Sequence, residues 1–134
     1  MSALQGQVGG DHYKGTAIQP VEFWQANRWD GCSCSSMKYL ARWRRKAGLE
    51  DLKKAIHFVE LRQELGDYLP YTAPPQAISM ARFISANGIT DTLDIAALTW
   101  LECYVQAAPN FRADYARTTV MAIEDIIARY CADS

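Results

Sequence analysis

The chain has 134 residues, enough for one compact domain or for a small core with an appendage. Hydrophobic residues make up 49%, aromatics 11% and charged residues 22%, a composition that excludes a disordered chain. Net charge is −1, from 14 cations against 15 anions, which argues against a protein that coats nucleic acid. No apolar run approaches the roughly 18 residues of a membrane span, and the start shows no basic segment followed by an apolar one, so a cytoplasmic protein with reduced cysteines is expected.

Gly6, Gly9, Gly10 and Gly15 make the opening Gly-rich, and residues 1–19 read as a loop. Pro20 suits the first turn of a helix over Val21–Asn27. A loop holding Asp30, Gly31, Cys32 and Cys34 is expected next, with Ser35 or Ser36 capping a helix from Met37 to Lys46 that Gly48 ends. A third helix runs from about Leu49 to Leu65. Pro70, Pro74 and Pro75 mark a linker, because proline inside a helix removes a donor and clashes with the preceding turn. Pro75 is expected to open a helix to about Ala86, broken by Asn87-Gly88. Thr90 or Asp91 caps an apolar helix to about Ala107, and Asn110 caps a last one reaching about Tyr130. No clean period-2 alternation survives, so the expected fold is all-α with about six helices. Residues 1–69 carry a net charge of +2 and residues 70–134 a net of −3. The expected organisation is a helical region over 1–69 and a helical extension over 70–134, which packs on the first or mediates oligomerisation.

The second helix places Lys38, Arg42, Arg45 and Lys46 on one stripe about 100° wide, and spaces Tyr39 and Trp43 to stack at i, i+4. The stripe reads either as a solvated face or as a phosphate site, since arginine and lysine donate to phosphate oxygens. The third helix is apolar on two sides, with Asp51, Lys54 and Arg62 between the two arcs. Asp51 and Lys54 are therefore expected partly buried, either as an i, i+3 pair or in use at a site. The helix around Trp100 is apolar nearly all round and should be central or lie in an interface. Ala116, Val120, Ile123, Ile127 and Tyr130 form a 4-3-4-3 seam on the last helix, read as core or as a homo-oligomer contact. One C-x-C, two scattered cysteines and two histidines do not match structural zinc spacing, so no metal site is assigned.

Gly9-Gly10-Asp11-His12-Tyr13-Lys14, Ile18-Gln19-Pro20-Val21-Glu22-Phe23, Lys38-Tyr39-Leu40-Ala41-Arg42 and Gly48-Leu49-Glu50-Asp51-Leu52-Lys53-Lys54-Ala55 follow in that order. The order resembles a family of small bacteriophage proteins with a GG-x-HY, IQP-x-E-[FY], KY-x-x-R and G-x-EDL-x-KA pattern. Over residues 9 to about 65 it is similar to the C-terminal portion of the nucleotide kinase of T-seven-like podoviruses, which lacks a Walker P-loop. The resemblance implies a phage protein of the host-cell cytoplasm that phosphorylates deoxynucleoside monophosphates, with ATP as donor and Mg2+ as cofactor.

A nucleotide site needs phosphate donors, a stacking surface and, in kinases, a metal held by carboxylates. On that reading Tyr13, Lys14, Lys38, Arg42 and Lys46 bind the nucleotide. Asp51, Lys54 and His12 are the catalytic candidates, and Glu22 is a second carboxylate that could orient a metal. The Gly-rich segment is expected to fold over the positive edge of a helical pair. Two further readings stay open: a nucleotide-binding protein without turnover, and a protein that binds a host factor through its helical surface. A helical pyrophosphohydrolase is less well served, because Glu60, Glu64 and Asp67 fit its paired-carboxylate spacing poorly.

Overall fold

A computed structural model describes residues 18–66 and 68–131. Six α-helices, with two short 3-10 turns, make up the regular structure of the described residues, in agreement with the all-α expectation. The expected Gly-rich loop lies outside the described residues.

Helix α1 spans Pro20–Asn27, with Pro20 in its first turn and a capping box in which the Glu22 side chain accepts from the Gln19 N–H at 3.2 Å. Arg28 ends it in the left-handed conformation, at φ 53. Helix α2 spans Gly31–Arg42 and corrects the expected loop. Asp30, not Ser35 or Ser36, is the cap: its carboxylate accepts from the Ser33 N–H at 3.0 Å and from the Ser33 hydroxyl at 2.8 Å. Both cysteines of the C-x-C therefore sit in the first turn of a helix. At the other end α2 stops at Arg42 and tightens into a 3-10 turn over Trp43–Arg45, short of the expected Lys46. Gly48, at φ 56, precedes α3, Leu49–Leu65, and Gly66, at φ 61, ends it.

The linker is longer than expected. Helix α4 is Met80–Ala86 and is capped by Ser79, whose hydroxyl accepts from the Arg82 N–H at 3.1 Å; Pro75 opens no helix. Asn27 supplies a physical reason. Its side-chain amide donates to the Ile78 carbonyl at 2.8 Å and accepts from the Ile78 N–H at 2.7 Å, which holds this stretch extended on the end of α1. Asp91 caps α5, Thr92–Gln106, by accepting from the N–H groups of Leu93 and Asp94. Asn110 falls inside a 3-10 turn, Pro109–Phe111, and α6 follows as Arg112–Tyr130 with no side-chain cap.

Helix α2 packs along α3 and α5 along α6, while α3·α6 and α2·α5 contacts join the two pairs. Residues before and after the linker thus share one core, in which Phe23, Met37, Leu52, Met80, Leu98, Tyr104 and Ile123 are enclosed. Each such side chain contributes about 1.5–3 kcal/mol of hydrophobic stabilisation. Phe23 meets Trp29 edge-on at 4.9 Å and Phe83 at 5.5 Å, fixing α1 against α4. Helix α5 packs against α2, α4 and α6 and leaves Trp100 38% exposed on its outer face. The seam of α6 is rotated from the expected one: Ala116, Thr119, Ala122, Ile123 and Ile126 are buried, and Tyr130 is exposed. No described helix is long and apolar enough to cross a membrane.

Candidate functional site

The 3-10 turn at Trp43 divides the cationic stripe. An α-helix advances 100° per residue and a 3-10 helix 120°, so residues beyond Arg42 leave the register of Lys38 and Arg42. Lys38, Arg42 and Lys54 converge on the Tyr39 ring, at 4.5, 4.8 and 5.4 Å from its centroid, and Tyr39 stacks on Phe58 at 6.0 Å. The expected Tyr39–Trp43 stack is replaced, since Trp43 turns instead to Tyr130, at 5.9 Å.

Asp51 is fully buried. Its Oδ1 accepts from Arg42 Nη2 at 3.4 Å, and its Oδ2 accepts from the Ala47 N–H at 3.2 Å and lies 3.4 Å from Arg42 Nε. The expected Asp51–Lys54 pair does not form; Lys54 pairs with Glu50 at 3.2 Å. Asp51 and Arg42, read separately as catalytic and nucleotide-binding, are thus each other's partners and tie the end of α2 to the start of α3. Lys46 is exposed on the turn between them. His12, Tyr13 and Lys14 lie outside the described residues.

A cavity of about 350 Å3 opens where the 3-10 turn meets the α4–α5 loop. One wall carries Arg44 and Arg45, the facing loop carries Asn87, Gly88 and Asp91, and Ile18, Leu40, Phe83 and Leu98 give an apolar side. Ile18, where the described chain begins, is held there by Asn87, whose amide donates to the Ile18 carbonyl at 2.9 Å and accepts from its N–H at 3.4 Å.

Arg44 is held by two carboxylates and two aromatic rings, with its side chain still 43% exposed. Its Nε reaches Asp94 at 2.7 Å and its Nη2 reaches Asp91 at 3.3 Å, while its guanidinium lies 4.4 Å from the Trp43 ring and 4.6 Å from the Tyr130 ring. Trp43 Nε1 donates to the other Asp94 oxygen at 3.3 Å, and the Tyr130 hydroxyl donates to Asp91. Partial burial opposes the Arg44 charge, but hydrogen bonds to Asp94 and Tyr130 and the two carboxylate charges outweigh it and raise its pKa. The Tyr130 hydrogen bond leads the causes that hold the Asp91 carboxyl below its ordinary value.

Arg45 was legible as part of the stripe and Asp91 as a cap. Arg44 and Asp94 carried no signal and Asn87 only that of a helix break, because the partners they reach across the cavity lie 47 or more residues away.

A family model described as a protein of unknown function, DUF3310, matches residues 8–60. That segment spans α1, α2 and most of α3, and so contributes the Arg44–Arg45 wall but not the Asp91 loop. No curated protein matches the chain, and no solved structure does.

Proposed function

We propose that the protein binds deoxynucleoside monophosphates in the cavity at the C-terminal end of α2 and acts as a phage nucleotide kinase, with ATP as phosphate donor. The cavity carries this reading: its volume lies within the range of about 300–1,000 Å3 usual for small-molecule sites, and it sets arginines against an apolar wall. The exposed Arg45, with Lys46 beside it, meets the phosphate, and Leu40, Phe83 and Leu98 face the base. Arg44 is paired in charge with Asp91 and Asp94, so it shapes the wall more than it neutralises a ligand.

The kinase reading calls for Mg2+. Asp91 and Asp94, the carboxylates of the cavity, are occupied by Arg44, Trp43, Tyr130 and the α5 cap, and no group of three ligating side chains occurs among the described residues. These residues do not fit a protein-held ion, and no step is assigned to one; magnesium would arrive on the phosphates of ATP. The chain's own part is positioning and charge complementarity, which is most of what phosphoryl transfer requires of a protein.

Binding without turnover is the second reading. It is favoured by Asp51, a proposed catalytic carboxylate that is enclosed and committed to Arg42 and the Ala47 N–H. One experiment separates the two. Full-length protein is incubated with ATP, magnesium and each deoxynucleoside monophosphate, beside an Arg45→Glu/Lys46→Glu variant. Diphosphate formed by the parent and lost in the variant supports the kinase. Calorimetric binding that the variant loses, with the nucleotide recovered unchanged, supports binding alone. Absence of both overturns the proposal.

A further inference from the structure

A second cavity, of about 250 Å3, lies at the opposite end of α2, between the Asp30 cap and the proline-rich connector. Arg62 of α3 is only 4% exposed there. Its Nε donates to Asp30 at 2.9 Å, and its guanidinium lies 4.3 Å from the Tyr68 ring and 4.9 Å from the Tyr104 ring. Its Nη1 is buried and closes no hydrogen bond, although the Tyr104 hydroxyl approaches the guanidinium. Trp29, on the same cavity, has a buried Nε1–H that approaches the Tyr71 hydroxyl without closing a hydrogen bond. Arg28 stands exposed on the rim.

Buried donors are nearly always satisfied, and a charged donor left unpaired is among the most costly exceptions. Two buried donors on one cavity, each with only a poorly placed tyrosine hydroxyl nearby, leave room for a better acceptor. Among the lining residues Arg28, Arg62 and Asp30 leave one net positive charge, which suits an anion. Aromatic rings and Pro70 on the walls suit a flat apolar body. The proline-rich connector carries Tyr68, and this ring covers the Arg62 guanidinium. Residues of α2 rise about 1.5 Å each, so its 12 residues put this cavity about 18 Å from the one at Trp43. That is too far for a phosphoryl group to pass between them in line.

We infer that this cavity is a separate site for a small oxyanion on a flat body, a carboxylate or a phosphate monoester, which the Arg62 edge and Trp29 Nε1 receive when the Tyr68 ring swings aside. The inference does not depend on the proposed function.

The test follows the indole N–H signals of the four tryptophans by NMR in full-length protein. Each signal is assigned with a Trp→Phe variant. The probes are benzoate, phenyl phosphate and inorganic phosphate. Benzoate and phenyl phosphate are expected to move the Trp29 signal saturably and leave Trp43 in place. A response to only one of the two supports the site and identifies its anion as carboxylate or phosphate. Arg28→Asn, at an exposed left-handed position that asparagine tolerates, is expected to weaken binding about ten-fold through loss of a charge-assisted contact. Tyr68→Ala removes the cover and is expected to tighten it. Arg62→Lys, which keeps the charge without the planar edge, is expected to abolish binding if circular dichroism shows it folded. No Trp29 response to any organic probe, equal affinity in Arg28→Asn, or weaker binding in Tyr68→Ala overturns the inference. A Trp43 response alone overturns it while leaving the proposed nucleotide cavity standing.

Discussion

Replacing Asp51 by asparagine asks whether this carboxylate serves chemistry or architecture. The substitution keeps the shape and an acceptor for the Ala47 N–H, and removes the charge opposite Arg42. Removing one partner of a fully buried ion pair costs about 3–5 kcal/mol. Two features reduce that figure here: the Arg42 side chain is 14% exposed, and both its contacts to Asp51 are 3.4 Å long. A loss of about 2–3 kcal/mol is therefore expected. With a urea m-value of about 2 kcal/mol/M for a chain of this size, the unfolding midpoint should fall by about 1–1.5 M. Nucleotide binding, measured calorimetrically well below the unfolding midpoint, should stay within about two-fold of the parent, because Asp51 does not line the cavity at Trp43. A midpoint unchanged within about 0.2 M together with lost diphosphate formation would refute the structural reading and return Asp51 to the chemistry.

Arg44→Met should cost about 1–3 kcal/mol in urea unfolding, since it removes two aromatic contacts and leaves Asp94 to Trp43 alone. Gly48→Ala places a Cβ in open space, yet at φ 56 and ψ −123 the backbone itself is strained for an L-residue; a loss of about 1–2 kcal/mol is expected in the same assay. The Asp30 carboxyl is pushed up by burial, but hydrogen bonds from Ser33 and Arg62 and the Arg62 charge outweigh this and hold it below its ordinary value of 3.8. A carboxyl depressed in the folded state stabilises fully above its unfolded pKa and loses that contribution as pH falls through the folded one. Asp30→Asn should therefore be less stable than the parent by about 3 kcal/mol at pH 7, and the gap should narrow below about pH 4 in urea unfolding across pH.

The local determinants of this fold are readable along the chain, and the contacts that join distant segments are not. Pro20, Gly48 and Gly66 punctuate α1 and α3, and each acts within a turn of its own position. The start of α2 was obscured because Asp30 and the serines that follow are all good caps. What favours Asp30 is its second partner, Arg62, 32 residues on. Pro75 signals a first turn as strongly as Ser79, and the Asn27 clamp on Ile78, 51 residues apart, favours the later start. At the site, the cations of α2 were legible as a stripe. Its division at Trp43 was not, because the 3-10 turn is shaped by Asp94 and Tyr130 in the other half of the chain.

The claim on which the account rests is that the cavity beside Trp43 takes a nucleotide. Its most direct test is a titration of full-length protein with deoxynucleoside monophosphates, followed by amide and indole NMR. The account predicts saturable shifts at Trp43 Nε1 and along Gly88–Asp91, lost in Arg45→Glu/Lys46→Glu. Silence of these signals at saturating nucleotide, or shifts confined to Trp29 and its neighbours, would contradict it.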